Sequence, residues 1–191
     1  KWLAVAALPP FPIKKTVFSL SELFAAFKMR LVKQSMTDNG IGLTTINPSA
    51  IRNEISRSKD ELKNHHEYSE HADGYFQETV ATIYDRYQEL LKNANGVDFG
   101  DMVGLCVELF KFPDVRAYYQ DRFRFVLVDE YQDVSESQHR FLLELTRAWS
   151  LEDSKSIFLV GDPMQSIYGF RNAQVGLFIK TFHKKYLYFD L

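Results

Sequence analysis

Residues 125–133 read Phe-Val-Leu-Val-Asp-Glu-Tyr-Gln-Asp, and this stretch decides the fold class of the 191-residue chain. Four apolar residues lead directly into two adjacent carboxylates, Asp129 and Glu130. A continuous apolar run is typical of a parallel strand that is buried on both faces. Ligands of open parallel sheets bind at the carboxyl ends of the strands. We therefore predict a buried strand over residues 124–128, with a carboxylate pair at its end that can hold a metal ion and activate a water molecule.

A second apolar run, residues 157–160, stops at Gly161 and Asp162. Between the two runs, a capping box at residues 135–138 opens a helical pattern. A further helical pattern near residues 175–182 and a third strand-like run at 186–189 continue the alternation. Alternating strands and helices predict an α/β fold with a parallel sheet.

The first half of the chain has a different pattern. Apolar residues recur at helical spacing in three segments, which lie near residues 20–31, 47–62 and 76–91. Asn95 and Gly96 end the last of these segments, and we expect the glycine to take the left-handed conformation. An all-helical region is therefore predicted before residue 96.

Composition excludes several classes of protein. The single cysteine, Cys106, excludes a disulfide framework and a cysteine-based zinc site, suits a reducing cytosol and is expected in the core. The irregularly spaced His65, His66 and His71 are better explained by a solvated loop than by a metal site. No apolar window is long enough for a membrane span, and the net charge of −2 does not by itself indicate a nucleic-acid binder.

The acidic pair Asp129 and Glu130 can be interpreted in two ways. Asp129 can bind Mg²⁺ that bridges phosphate oxygens, and Glu130 can deprotonate a water molecule. The alternative is an acidic pair that caps the next helix.

The residues after the second run add a second set of candidates. The amide of Gln165 can donate to a phosphate and accept from water. Tyr168, Phe170 and Arg171 together can stack unpaired bases. The alternative is that both aromatics belong to the core of a loop.

Two motifs resemble those of the UvrD/Rep/PcrA class of superfamily 1 DNA helicases. They are Asp-Glu-Tyr-Gln-Asp at residues 129–133 and, about 30 residues later, Gly-Asp-Pro-Met-Gln-Ser-Ile-Tyr at residues 161–168. Residues 97–102, Val-Asp-Phe-Gly-Asp-Met, are similar to the segment before the Walker B strand of that family. Residues 55–62, Ile-Ser-Arg-Ser-Lys-Asp-Glu-Leu, resemble a helix of its accessory helical domain. The resemblance covers residues 45–191 and, more weakly, 16–44.

The resemblance implies a role for each candidate residue. Asp129 would coordinate Mg²⁺, Glu130 would activate the attacking water, and Gln165 would sense the γ-phosphate of ATP. Tyr168, Phe170 and Arg171 would contact single-stranded DNA. The family moves 3′ to 5′ along one strand, with ATP and Mg²⁺ as cofactors and DNA as partner, and its members work in DNA repair or recombination.

Two departures from the family pattern matter. Residues 169–173 read Gly-Phe-Arg-Asn-Ala where Arg-Trp-Arg-Gly-Ala is commonest, and Phe170 offers a smaller stacking face than Trp. The sequence of residues 161–171, Gly-Asp-Pro-Met-Gln-Ser-Ile-Tyr-Gly-Phe-Arg, is closer to the RecB/AddA-like helicase-nuclease branch, so a nuclease domain or subunit is a possible partner. In addition, none of the nine glycines is followed by Lys, so the chain carries no phosphate-binding Gly-Lys loop.

We therefore expect an internal, cytoplasmic helicase fragment that is inactive without the rest of the protein. Residues 1–95 would be the helical accessory domain, with the first 15 or so not assigned, and 96–191 the later part of the first RecA-like P-loop NTPase lobe. One rival is a non-catalytic DNA-binding or interaction module that keeps the Walker B scaffold. Another is an ATPase whose work does not depend on DNA.

Overall fold

The computed structural model describes residues 20–150 and 154–162, with side chains described from residue 24 onward. This part of the chain is mostly helical and holds one two-stranded parallel sheet. The helices are α1 (Leu20–Asp38), α2 (Pro48–Asp60), α3 (His65–Glu70), α4 (Gly74–Asn93), α5 (Phe99–Leu109), α6 (Pro113–Arg122) and α7 (Glu136–Thr146). The strands are β1 (Phe125–Val128) and β2 (Ser156–Leu159). The helix and strand predicted near residues 175–189 lie outside the described residues.

The main hydrophobic core lies among α1, α2, α3 and α4. Helix α4 is amphipathic, and its inward face carries two fully buried tyrosines, Tyr84 and Tyr87. Helix α2 begins with Asn47 as N-cap, which accepts from the Ser49 amide, and with proline in the first turn. The other residues of this core include Val32, Met36, Ile51, Ile55, Val80, Ile83 and Leu91.

Two predictions for this helical region were wrong. The histidine-rich stretch is not a loop, because Asn64 and Glu67 form a complete capping box that starts α3. After α4, the left-handed residue is Asn95, with φ of 48°, and not Gly96. Asparagine tolerates this conformation because its short polar side chain can bond locally. None of the helices in the described ranges combines the length and the apolar character that a membrane crossing needs.

The parallel pairing of the two strands confirms the prediction from their apolar runs. Phe125 pairs with Ser156 and Val128 with Leu159, and α7 lies between the strands in sequence. The expected burial of β1 on both faces was wrong, since Phe125 and Leu127 are 68% and 71% exposed. Side chains alternate across a strand, so these two share one face, and within the described residues only the opposite face is partly covered. Cys106, which was expected in the core, is only half-buried.

A buried ion cluster joins the helices before residue 95 to the start of α5. The Lys59 ammonium, on α2, lies 2.9 Å from Asp98 Oδ2 and 2.7 Å from Asp101 Oδ1. It also donates to Gln88 Oε1 on α4 at 2.7 Å. The side chains of Lys59 and Asp98 are each only 3% exposed. Asp98 is at the same time the N-cap of α5, in a capping box with Asp101.

The remaining partners of Asp98 complete the cluster. Lys28 on α1 lies 3.3 Å from Asp98 Oδ2, and the Tyr87 hydroxyl donates to the same oxygen at 2.8 Å. Two ammonium groups therefore face two carboxylates, and the local charge is balanced. A Cβ at Gly100 would lie 2.8 Å from Lys59 Cβ, so the glycine allows α5 to approach the lysine stem. The predicted domain boundary at residue 95 falls in the α4–α5 loop, and it stays a prediction.

Electrostatic effects on the pKa of Asp98 oppose each other. Desolvation, the largest single effect, raises the pKa of this carboxyl. Attraction to Lys59 and Lys28, with the hydrogen bonds from the Asp101 amide and from Lys59, outweighs it, so the pKa lies well below its ordinary value of 3.8.

The lowered pKa of Asp98 predicts an acid-sensitive contribution to stability. Because the unfolded chain takes up this proton at a higher pH than the folded chain, the contribution is complete above about pH 4 and is lost as the pH falls further. Urea midpoints measured between pH 6 and pH 2.5 should therefore fall less steeply for Asp98→Asn than for the unchanged chain. Equal slopes for the two proteins would contradict this assignment.

Candidate active site

The two strands bring the candidate residues to one edge of the sheet. The Val160 amide donates to the Val128 carbonyl at 2.8 Å, and the Tyr131 amide donates back to the Val160 carbonyl at 2.8 Å. These bonds continue the pairing beyond the ends of both strands. Asp129 and Glu130 consequently lie beside Gly161 and Asp162.

The carboxylates follow β1 through a sharp backbone reversal. Glu130 has φ of 54° and ψ of 41°, which is the left-handed region. That conformation costs about 1–2 kcal/mol in a residue other than glycine. Asp129 Oδ1 accepts from the Glu130 amide at 2.9 Å, which supports the reversal. Both residues are exposed, so both carboxylates are accessible to a ligand.

Gln132 connects this reversal to the second strand. Its Nε2 donates to Glu130 Oε2 at 2.6 Å, and its Oε1 accepts from the Asp162 amide at 2.9 Å. The residue is 2% exposed. A buried side chain therefore links the carboxylate after β1 to the backbone after β2.

A second buried contact anchors the same turn to α7. Tyr131 is 3% exposed, and its hydroxyl bonds to His139 Nδ1. Burial is the main reason that the pKa of His139 lies below its ordinary value, which favours the neutral ring near pH 7. Ser135 begins α7 with the predicted capping box to Gln138. The turn that carries Glu130 is thus fixed on both sides.

The structure places part of the predicted site. Asp129 and Glu130 lie together at the end of β1, as their position in the sequence predicts. Gln165, Tyr168, Phe170 and Arg171 lie outside the described residues. Their predicted roles, and the distances between them and the carboxylates, stay predictions.

Asp129 could hold a metal ion only together with ligands from outside the described residues. Among the described residues, no group of three or more His, Cys, Asp or Glu side chains could hold a metal ion. Mg²⁺ commonly takes only one or two protein carboxylates and completes its shell with waters and phosphates. The exposed carboxylate of Asp129 suits that arrangement.

Two structurally important residues lie within the quoted motifs, but their contacts were not predicted from the sequence. Gln132 was read only as part of the motif, because its link to Asp162 depends on how β2 pairs with β1. Lys59 stands among polar residues in α2, a pattern that is typical of a solvated face. Only the position of α5 shows that its ammonium group is buried.

The sequence of the chain is similar to those of a family of helicases. The sequence model of the UvrD/REP helicase N-terminal domain matches residues 13–186. The chain is 38% identical over 157 residues to ATP-dependent DNA helicase PcrA of Leuconostoc citreum, a match that covers 82% of the chain and 20% of that protein. It is 37% identical over 153 residues to ATP-dependent DNA helicase UvrD1 of Mycobacterium tuberculosis H37Rv, covering 76% and 20% of the two chains.

The PcrA helicase of Bacillus subtilis strain 168 is 31% identical over 169 residues, which cover 88% of the chain and 22% of that protein. The chain thus spans about a fifth of the length of the curated relatives it matches. The matched segment includes both strands and the carboxylate pair at the end of β1. From the family match and these identities, the chain belongs to the UvrD/REP helicase N-terminal domain family.

Proposed function

We propose that this chain supplies the Walker B part of the ATPase site in an ATP-dependent 3′–5′ DNA helicase. The remaining parts of that site, above all a phosphate-binding Gly-Lys loop and the second RecA-like lobe, would come from sequence outside these 191 residues. The protein as a whole would couple ATP hydrolysis to movement along single-stranded DNA during repair or recombination. Residues 1–95 would be its helical accessory domain and residues 96–191 the later part of its first lobe.

The observation that carries this proposal is the shared edge of the parallel strands. The exposed carboxylates after β1 lie beside the residues that follow β2, which is where open α/β sheets bind ligands. The alternative role of the acidic pair is helix capping. The next α-helix, α7, has Ser135 as its N-cap, and Glu130 stands at the N-cap position of the short 3-10 helix Tyr131–Asp133 without a side-chain cap bond. Asp129 and Glu130 are therefore available for chemistry.

Each carboxylate has a distinct role in the proposed reaction. Asp129 would hold Mg²⁺, which when bound neutralises charge on the phosphates. Glu130 would accept a proton from the water that attacks the γ-phosphorus of ATP. Gln165 would sense the γ-phosphate of ATP. Single-stranded DNA would be contacted by Tyr168, Phe170 and Arg171. These four assignments are supported by the motif resemblance.

The proposal is tested with the intact protein that contains this chain. We expect Mg²⁺-dependent ATP hydrolysis that rises at least tenfold when single-stranded DNA is added, and unwinding of duplexes with a 3′ tail but not a 5′ tail. DNA binding without ATP hydrolysis would favour the non-catalytic module. ATP hydrolysis that does not respond to DNA would favour the other rival, an ATPase whose work does not depend on DNA.

The 191 residues alone should not hydrolyse ATP, because the chain has no Gly-Lys loop to hold the β- and γ-phosphates. The measurement is phosphate release by the isolated chain with Mg²⁺ and single-stranded DNA. Hydrolysis that Glu130→Gln abolishes in the isolated chain would overturn this expectation.

A further inference from the structure

We propose that Gln132 is a positioning residue that holds the Glu130 carboxylate in its working orientation and ties it to the backbone after β2. This inference rests on the proposed role of Glu130 as the group that activates water. It adds a residue to which the motif resemblance gave no role.

The hydrogen-bond chemistry determines which way the Gln132 amide points. A backbone amide can only donate, so the group that faces the Asp162 amide at 2.9 Å must be the side-chain oxygen. The side-chain NH₂ then faces Glu130 Oε2 at 2.6 Å, where an ionised carboxylate can only accept. One orientation of the Gln132 amide makes both bonds, and the reversed orientation makes neither.

The environment of Gln132 makes this link rigid. The residue is 2% exposed, whereas Glu130 is exposed and its side chain would otherwise turn freely in water. The hydrogen bond occupies Oε2, and Oε1 stays available for a water molecule. A carboxylate that is already fixed loses no further conformational entropy in the reaction. The rate therefore depends on the residue that fixes it.

The same link joins the ends of two strands. Gln132, which bonds to Glu130, also accepts from the Asp162 backbone amide. Asp162 belongs to the segment that leads from β2 toward Gln165. A shift of that segment would move the Gln132 oxygen and, through the rigid amide, the donor to Glu130. The orientation of the proposed base therefore depends on the position of the chain after β2.

Two substitutions in the intact protein separate the two halves of the link. Gln132→Leu keeps a side chain of similar volume and removes both hydrogen bonds. Gln132→Glu keeps an oxygen for the Asp162 amide but has no NH₂ to donate to Glu130. Since a small misplacement of a reacting group can cost about 100-fold in rate, we expect both variants to lower the DNA-stimulated kcat by about 10- to 100-fold. The KM for ATP should stay within about threefold, because neither variant removes a proposed phosphate contact.

A matched control distinguishes positioning from simple destabilisation. Gln120 is also a buried glutamine, 8% exposed, and donates to the Glu144 carbonyl at 2.8 Å between α6 and α7. Gln120→Leu should lower the melting temperature about as much as Gln132→Leu and leave kcat unchanged. If Gln132→Leu does not fold, Gln132→Glu decides the question.

A double-mutant cycle supplies the decisive result. If Gln132 acts only through Glu130, then Gln132→Leu should change the single-turnover rate less than threefold in a Glu130→Gln background. Wild-type kcat in Gln132→Glu, or a full rate loss from Gln132→Leu in the Glu130→Gln background, would overturn the inference. Wild-type hydrolysis by Glu130→Gln would instead overturn the proposed role of Glu130, and the positioning role with it.

Discussion

Replacement of Lys59 by Met is expected to lower the free energy of unfolding by about 3–5 kcal/mol, the usual cost of breaking a buried ion pair from one side. Methionine keeps most of the stem volume, but it leaves Lys28 as the remaining ammonium partner of Asp98 and removes the Lys59 pair of Asp101. Asp98 is 3% exposed, so water cannot solvate the carboxylate charge that the substitution leaves less well paired. The measurement is urea unfolding of the 191-residue chain at pH 7.

The chain offers a matched control on its surface. Lys63 lies 2.7 Å from Glu61, but the two side chains are 51% and 28% exposed. Lys63→Met should cost less than about 1 kcal/mol, because exposed pairs contribute little. Equal losses from Lys59→Met and Lys63→Met would show that the cluster does not stabilise the fold.

A second substitution tests whether the cluster acts as a unit. In the double variant Lys59→Met with Asp98→Asn, one carboxylate charge is removed together with its ammonium partner. The combined loss should be smaller than the sum of the two single losses, since each single variant leaves an unbalanced charge. Additive losses would indicate that Lys59 and Asp98 stabilise the fold independently.

The strands of this chain were predictable because their signal is local. The apolar runs before Asp129 and before Gly161 predicted both strands to within one residue of their observed bounds. The start of α2 has an equally local cause, since Asn47 followed by proline begins a helix by short-range chemistry. The burial of β1 was not predictable from the run alone, because burial depends on which elements cover each face.

The site shows the same division between local and distant causes. Asp129 and Glu130 could be recognised because they stand directly after a strand. The role of Gln132 depends on an amide 30 residues later in the sequence, and no local pattern reports that contact. Lys59 is comparable, since its burial depends on Asp98, which is 39 residues away.

The largest effect on activity is expected from Glu130→Gln in the intact protein. Glutamine has the shape of glutamate but cannot accept a proton from water, and a positioned general base contributes about 10²–10⁴-fold to a rate. We therefore expect DNA-stimulated kcat to fall by at least 100-fold. The affinity for ATP should change little, because Mg²⁺ would be held by Asp129 and the phosphates by groups elsewhere in the protein.

Two controls make this result specific to the base. Glu136→Gln removes an exposed carboxylate from the first turn of α7, six residues along the chain, and should leave kcat within about twofold of the unchanged rate because Glu136 lies outside the proposed site. Asp129→Asn should instead weaken Mg²⁺-dependent nucleotide binding, which equilibrium titration with a fluorescent ATP analogue would detect. If Glu130→Gln hydrolysed ATP at the normal rate while Asp129→Asn did not, the proton would have to pass to another group, and the residues after β2 would be the next to replace. If both variants hydrolysed ATP normally, the end of β1 would not be the reaction site.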